Sequence, residues 1–288
     1  MPRFSIIVPA YNRAKTISRT LDSLYAQIST DFEVIVVDDG STDNTGEIVS
    51  VYVQQKGLSY FYQPNSGVSA ARNCGAVLAT GEYLLFLDSD DTVTSTWIKN
   101  YEEKILEQGA DLLYCGITRI RNGVVIGQTD PANPFNNGVA YGNFIPGSFC
   151  LKRELFESVG GYDTILSYSE NTELSFRLKQ KGPKETFIDA YNLEYHVSDD
   201  GLSKNWVNRK NAMLHILDKH KDLFEQNRSL KKRYMTIAGV AAAYCKNRVE
   251  SRGIFKSLLI EFPFSLGVFV RFLATYSPIV SRIIWKKI

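Results

Sequence analysis

Apolar residues in the first hundred positions come in short blocks, each stopped by turn residues and followed by a stretch at helical spacing. Phe4 to Val8 is a strand-like run ending at Pro9, after which Ile17, Leu21, Leu24 and Ile28 recur at helical intervals. Phe32 to Val37 is a second strand, rich in β-branched residues and stopped by Asp38, Asp39 and Gly40. Gly40 to Asn44 is turn chemistry, and Glu47 to Gln55 reads as a helix. Leu58 to Gln63 predicts a third strand, Val68 to Ala79 a helix ended by Gly81, and Glu82 to Leu87 a fourth strand. Further on, Trp97 to Gln108 predicts a helix and Asp111 to Ile117 a strand. Arg121 to Asn143 predicts a long loop or hairpin, and Phe149 to Val159 and Thr172 to Gln180 predict helical pieces. Strands alternating with helices at this interval imply βαβ units, hence an α/β fold with a mainly parallel sheet flanked by helices.

The tail follows a different pattern. From Ile254 onward apolar residues recur at helical spacing through Phe255, Leu258, Leu259, Phe262, Leu266, Phe269, Val270 and Leu273 to Ile279, Val280, Ile283 and Ile284. Pro263 and Pro278 should break this into consecutive amphipathic pieces. Lys256, Arg271, Arg282, Lys286 and Lys287 interrupt or flank the apolar face, and no apolar stretch approaches the roughly 20 residues that span a bilayer. The pattern fits helices lying on an anionic membrane surface, or helices packed on the body or on a partner subunit.

Charge sharpens the division. Residues 1–200 carry 16 Lys/Arg and 26 Asp/Glu, a net −10, whereas residues 201–288 carry 17 and 5, a net +12, so the overall +2 conceals two opposed halves. We therefore expect a domain over 1–205 and a basic helical extension over 206–288. The 288-residue length and 44% hydrophobic content suit one large domain with an appendage. Cys74, Cys115, Cys150 and Cys245 are scattered, with no pair at zinc spacing, which fits a reducing compartment. Met1, Pro2 and Arg3 lead straight into a strand-like run, so no signal peptide is expected. His215 and His220, in a basic helical stretch, read as solvated surface residues.

Three polar clusters follow three separate strands: Pro9 to Asn12, Asp38 to Ser41, and Asp88 to Asp90, with Asp91 next in the chain. In a parallel sheet these strand ends line one edge, so the clusters should converge on one crevice. Three carboxylates within four positions repel one another, a cost that a hard divalent cation with oxygen ligands would relieve; an acidic turn capping the next helix is the alternative. Asp38 and Asp39 could accept hydrogen bonds from a ribose hydroxyl or a base N–H, or could cap a turn. Tyr11 offers a ring on which a base can stack. Neither glycine-rich phosphate fingerprint is present, so a diphosphate would be handled by a metal and basic side chains rather than by a backbone cradle.

Four segments together resemble glycosyltransferase family 2, the inverting type with a GT-A fold that uses nucleotide-diphosphate sugars. They are Ser5 to Asn12, Val36 to Asp43, Asn65 to Asn73 and Asp88 to Asp91, in the family's order and spacing across roughly residues 4–200. The resemblance implies that Pro9, Ala10, Tyr11, Asp38 and Asp39 contact the nucleotide and that Arg72 lines its pocket. It places Asp88 and Ser89 near the ribose and sugar, Asp90 on a Mg²⁺ or Mn²⁺ bridging the two phosphates, and His196 at the metal or diphosphate. Gly147 to Phe149 and Gly160 to Asp163 resemble the family's acceptor-side segment.

One position departs from the family. An Asp usually follows a Glu at the start of the acceptor-side helix and acts as general base, but here Glu170 is followed by Asn171. An amide has no useful basicity, so Glu170 is the preferred base, with Glu173 the weaker candidate and a first-turn helix residue on the bland reading. The alternatives are that Asn171 only orients the acceptor while another carboxylate acts, or that it marks a disabled enzyme.

The expectation is an inverting, metal-dependent transferase of the hexosyltransferase type, with a Rossmann-like GT-A body and a basic helical extension. The resemblance implies a UDP-sugar donor and a saccharide or lipid-linked acceptor in bacterial surface-polysaccharide synthesis. It calls for no nucleic-acid partner and places the protein in the cytoplasm, peripheral at the inner face of the membrane. A degenerate nucleotide-sugar-binding partner subunit is the alternative. A nucleotidyltransferase would need a basic phosphate loop near Pro9 to Arg13, which is absent.

Overall fold

The computed structural model describes residues 2–130, 144–197 and 205–276. The chain divides into two compact units, residues 1–165 with 170–199, and residues 166–169 with 200–288.

In the first unit, β1 (Phe4–Ala10), β2 (Phe32–Asp38), β3 (Ser59–Tyr62) and β4 (Tyr83–Phe86) are parallel and joined by α1 (Ile17–Tyr25), α2 (Thr45–Lys56) and α3 (Val68–Leu78). β1 runs through Pro9, and Ala10 is paired in register with Asp38. Beyond β4 come β5 (Thr92–Val93), α4 (Trp97–Gln108), β6 (Leu112–Arg121), β7 (Val124–Thr129), β8 (Phe149–Lys152), α5 (Arg153–Ser158), α6 (Glu170–Gln180) and β9 (Glu185–His196). The strand order is β3-β2-β1-β4-β8-β6-β9-β5, with β7 paired to β6. β8 is antiparallel to both β4 and β6, so the sheet is parallel over its first four strands and mixed beyond them.

Alternation along the strands builds two layers. Ile6, Val8, Val34, Val36 and Leu85 face a core closed by Ile17, Leu21, Leu24, Val49, Trp97 and Tyr101. Ile7, Ile35, Val37, Leu84 and Phe86 face the opposite core, closed by Ala71, Phe156, Tyr162, Leu174 and Leu178. Each such aliphatic side chain stabilises the fold by about 1.5–3 kcal/mol relative to exposure. Helix α3 lies so close to β1 that a Cβ on Gly75 would sit 2.4 Å from Ile7 Cγ2.

Several expectations change. Phe149 to Val159 is not helical throughout: Phe149, Cys150 and Leu151 are fully buried as a strand between β4 and β6, and the helix begins only at Arg153. A short apolar run carries no period that separates the two. The twelve-residue β9 was not foreseen, because its pairing with β6 shifts register on either side of Gly116 and breaks the alternation. The expected loop after Arg121 begins as the β6–β7 hairpin; positions 131–143 lie outside the described residues.

The second unit contains α7 (Trp206–Lys219), α8 (Lys221–Gln226), α9 (Arg228–Tyr244), α10 (Arg248–Glu261) and α11 (Leu266–Ala274). Asn205, Asn227 and Asn247 each cap a helix, accepting from the backbone N–H groups of Val207 and Asn208, of Leu230, and of Glu250. Val240, Phe255, Leu258, Val268 and Ala274 form its core. Pro263 falls in the break between α10 and α11, as its missing N–H dictates. Pro278 and the apolar positions after it lie outside the described residues. His220 is not solvated: at the α7–α8 junction it is 7% exposed.

Candidate functional site

The carboxyl ends of β1, β2 and β4 carry the three predicted clusters. After β2, Gly40 adopts a left-handed backbone (φ 81°), and a Cβ there would meet the Asn65 backbone nitrogen at 2.8 Å. Glycine lets the loop before α3 close against the turn after β2. Asp39 ties the two together. Its Oδ1 accepts from Gln63 Nε2 (2.7 Å) and Ser66 N (2.8 Å), and its Oδ2 accepts from Gly67 N (2.8 Å). Asp38 is equally satisfied, accepting from Ser41 N and from the Tyr60 hydroxyl, both at 2.8 Å. The capping alternative therefore describes Asp38: both of its oxygens are engaged and it is 1% exposed. Pro9 and Ala10 are buried in β1, while Tyr11 beyond them is 46% exposed and open to a stacking partner.

The acidic loop after β4 is held in part through its backbone carbonyls. Thr16 Oγ1 donates to Ser89 O (2.9 Å), Arg19 Nη2 to Asp90 O (2.7 Å) and Thr20 Oγ1 to Asp91 O (2.8 Å). These three residues at the start of α1 fix a conformation that crowds like charges. Burial, then the neighbouring Asp88, raises the Asp90 carboxyl above its ordinary value, with Arg13 at 3.7 Å partly opposing. Asp91 is 1% exposed and raised further by burial, Asp88 and Asp90. Its Oδ1 accepts from His196 N (2.8 Å), but its buried Oδ2 has no hydrogen-bond partner.

Arg72 joins the acidic loop after β4 to the start of α6. The side chain is 2% exposed; Nη2 donates to Asp88 Oδ1 (2.7 Å) and Nη1 to Glu170 Oε1 (3.0 Å), with the guanidinium 5.1 Å from the Tyr162 ring centroid. Burial alone would lower its pKa, but Asp88, Tyr162 and Glu170 outweigh that and raise it. Asn73 fixes Tyr162 through a pair of bonds, Nδ2 to Tyr162 O (2.9 Å) and Tyr162 N to Oδ1 (2.8 Å). The Tyr162 hydroxyl in turn donates to Asn171 Oδ1 (2.9 Å), and Asn171 Nδ2 donates to Glu170 Oε1 (2.8 Å). Glu170 Oε1 is doubly engaged, and Oε2 accepts from no described residue. Glu173 is fully buried in a forked pair with Arg177, so the structural reading holds for it and it is removed as a base.

His196 lies beside the acidic loop, its backbone N–H donating to Asp91 Oδ1 at 2.8 Å. Its Nε2 lies 2.9 Å from Thr92 Oγ1, which donates to Glu194 Oε2 (2.6 Å), so the ring is placed by Thr92. Burial and then Arg19 lower its pKa, favouring the neutral form. Among the described residues no three His, Cys, Asp or Glu side chains form a ready-made metal cage. A Mg²⁺-type ion held by one or two carboxylates and by substrate phosphates needs none. The exposed edges of Asp88 and Asp90 and the orphaned Asp91 Oδ2 suit such a donor set. Sequence reasoning missed Arg13, Thr16 and Arg19, and it assigned no separate role to Asn73 or Asp91, although both lie within the segments it used.

The model of glycosyl transferase family 2 matches residues 5–160. The chain belongs to that family. It is similar to the uncharacterized glycosyltransferase EpsJ of Bacillus subtilis, 38% identical over 117 residues, 40% of this chain and 34% of EpsJ. The matched stretch thus spans about a third of that relative's length. Among solved structures it resembles S. aureus TarS 1-349 in complex with UDP, with a TM-score of 0.65 and 22% identity, covering 100% of this chain and 91% of that one. The same protein in complex with UDP-GlcNAc gives a TM-score of 0.63 at 21% identity, covering 96% and 79%. The GT-A α/β fold expected from the motifs is the fold found.

Proposed function

We propose that this chain is an inverting glycosyltransferase that moves a sugar from a UDP-linked donor to a saccharide or lipid-linked acceptor in surface-polysaccharide synthesis. The observation that carries the reading is the buried Arg72, which couples Asp88 of the donor-side loop to Glu170 at the head of the acceptor-side helix. The UDP preference draws support from the structural neighbour solved with UDP and with UDP-GlcNAc. Tyr11 offers the base a ring to stack on, Asp39 and the loop it holds face the same strand edge, and Asp88 lies where a ribose or sugar hydroxyl would donate.

Asp90, with Asp88 and Asp91 beside it, would hold a Mg²⁺ or Mn²⁺. That ion would stabilise the negative charge growing on the departing diphosphate. Glu170 then takes the proton of the acceptor hydroxyl through its free Oε2, while Arg72 and Asn171 fix Oε1 and aim the carboxylate. Asn171 is matched to its partners. Its amide is used at both ends, accepting from the Tyr162 hydroxyl and donating to Glu170 Oε1.

The test is release of UDP from a panel of UDP-sugars with Mn²⁺ and with EDTA, in wild type, Glu170→Gln and Asn171→Asp. Metal-dependent release that is lost in Glu170→Gln and not increased in Asn171→Asp supports the assignment. A large gain in Asn171→Asp refutes it and favours a disabled, nucleotide-sugar-binding partner subunit.

For location, no helix among the described residues is long and apolar enough to cross a membrane. Peripheral contact with an anionic bilayer at the inner face of the cell membrane fits the row Ile260, Phe264, Leu266, Phe269 and Leu273, all exposed on α10, α11 and their junction, with Phe264 99% exposed. Phe264→Asp should reduce co-sedimentation with anionic vesicles; unchanged binding sinks the idea.

A further inference from the structure

The surface of the second unit carries an open cavity of about 420 Å³ with a largely cationic lining and one apolar residue, Ile237. Arg209 from α7, Lys232 and Arg233 from α9 and Arg271 from α11 surround it, with the hydroxyls of Ser229 and Thr236. On α9, Ser229, Lys232, Arg233 and Thr236 fall at i, i+3, i+4 and i+7, so one face of the helix is turned to the cavity. Among the described residues no carboxylate lines it.

The rest of the unit shows what these cations lack. Lys210 pairs with Glu250 at 2.9 Å and Lys231 with Glu261 at 3.0 Å. Among the described residues Arg209, Lys232, Arg233 and Arg271 make no ion pair, although like charges gathered round one cavity repel. The Nε atoms of Arg209 and Arg271 are buried donors with no hydrogen-bond partner, and a buried unpaired donor costs about 1–3 kcal/mol. Arg209 is also preset. Its guanidinium lies 5.1 Å from the Trp206 ring and 5.6 Å from that of Tyr168, and Trp206 is itself stacked on Tyr244 at 4.0 Å. The cavity draws on the first turns of α9, where the helix dipole favours an anion.

We propose that this cavity is a binding site for a phosphate group carried as a mono- or diester. Guanidinium forks match phosphate oxygens in pairs, the hydroxyls add donors, and the volume holds a phosphate together with part of what it esterifies. The site uses none of the donor-site residues and does not depend on the transferase reading.

Two sources share this chemistry, a soluble phosphoester and a lipid headgroup. At 100° per residue Arg271 lies on the side of α11 opposite Phe269 and Leu273. The cavity and the exposed apolar row are therefore separable by mutation.

The experiment titrates full-length protein, in EDTA, with inorganic phosphate and pyrophosphate by calorimetry. In parallel it measures co-sedimentation with phosphatidylcholine vesicles containing phosphatidic acid. The variants are Arg209→Gln, Arg233→Gln and, as a charge-matched control on an exposed position, Lys221→Gln. Binding of the soluble anions that weakens at least about tenfold in the two arginine variants and less than about twofold in the control is the expected result. Vesicle binding with the same pattern, but no soluble binding, assigns the site to a headgroup. No binding of either probe overturns the proposal. So does an equal loss in Lys221→Gln, or binding that survives Arg209→Gln and is lost in Asp90→Asn. Far-UV circular dichroism checks folding, and Lys232→Gln carries the same prediction if an arginine variant misfolds.

Discussion

Replacing Arg72 by Met tests the coupling on which the proposed chemistry rests. Met keeps most of the apolar stem but removes the charge and every donor, stranding Asp88 and Glu170. Breaking a buried ion pair by deleting one partner costs about 3–5 kcal/mol. The stranded side chains are not equally dry: Glu170 is 12% exposed and Asp88 31% exposed. Water reaches Asp88 in part, which points to the lower end, about 3 kcal/mol. In a unit of this size that corresponds to a fall in Tm of about 6–12 °C.

The double variant Arg72→Met/Glu170→Gln removes the drier of the stranded charges. It should therefore recover part of the loss, giving a positive coupling in the cycle. Activity should fall by about a hundredfold or more in Arg72→Met even well below its Tm, because the Glu170 carboxylate loses the contact that aims it. Urea denaturation and UDP release measure the two quantities. A variant that melts within about 1 °C of wild type and transfers sugar normally would refute the claim that Arg72 couples the two halves of the site.

Three further outcomes follow from local geometry. Gly75→Ala gains about 1 kcal/mol of helix propensity, but its Cβ would lie 2.4 Å from Ile7 Cγ2. Overpacking at about 1–3 kcal/mol wins, and urea unfolding should show net destabilisation. Glu33 is subject to burial, which raises its pKa, but bonds from Ser5, Thr80 and Gly81 prevail and lower it below 4.5. A depressed carboxyl contributes stability that is present above 4.5 and lost as pH falls through its folded value, so Glu33→Gln should flatten the acid limb of stability against pH. Finally, UDP with Mn²⁺ at a hundred times its Kd should stabilise wild type by about 2.7 kcal/mol. Asp90→Asn should abolish the Mn²⁺-dependent part, and a thermal shift unchanged by the substitution would remove Asp90 from the ion.

The early strands and helices were readable because their evidence is local: Val34, Val36 and the helical spacing of Leu21 and Leu24 declare themselves within a few positions. The strand ends then placed Asp39, Asp88 and Asp90 on one edge. What stayed hidden was whatever depends on distant partners. Arg72 and Glu170 are 98 positions apart, and Thr16 and Ser89 are 73 apart. β8 and β9 take their form from neighbours in the sheet, with Phe149 to Leu151 buried between two strands and β9 following the irregular register of β6. Asn171 read as a missing base because the sequence shows a residue type and not its partners, Tyr162 on one side and Glu170 on the other.

Those partners also sort acids that the sequence left equivalent. Asp38, Asp39 and Glu173 each have both oxygens engaged within the fold. Glu170 keeps one oxygen free. Asp88 and Asp90 keep exposed edges, and Asp91 holds an unpartnered buried oxygen beside them. Thr16, Arg19 and Thr20 hold the carbonyls of Ser89, Asp90 and Asp91, which opposes relief of the crowding by moving the chain. The remaining relief is protonation, which the raised values of Asp90 and Asp91 record, or a cation delivered with its phosphates. At neutral pH the second answers the electrostatics without giving up the charge that a diphosphate-bound ion needs. On the proposed function, a loop held by its carbonyls while its carboxylates repel suits an ion that arrives with the donor.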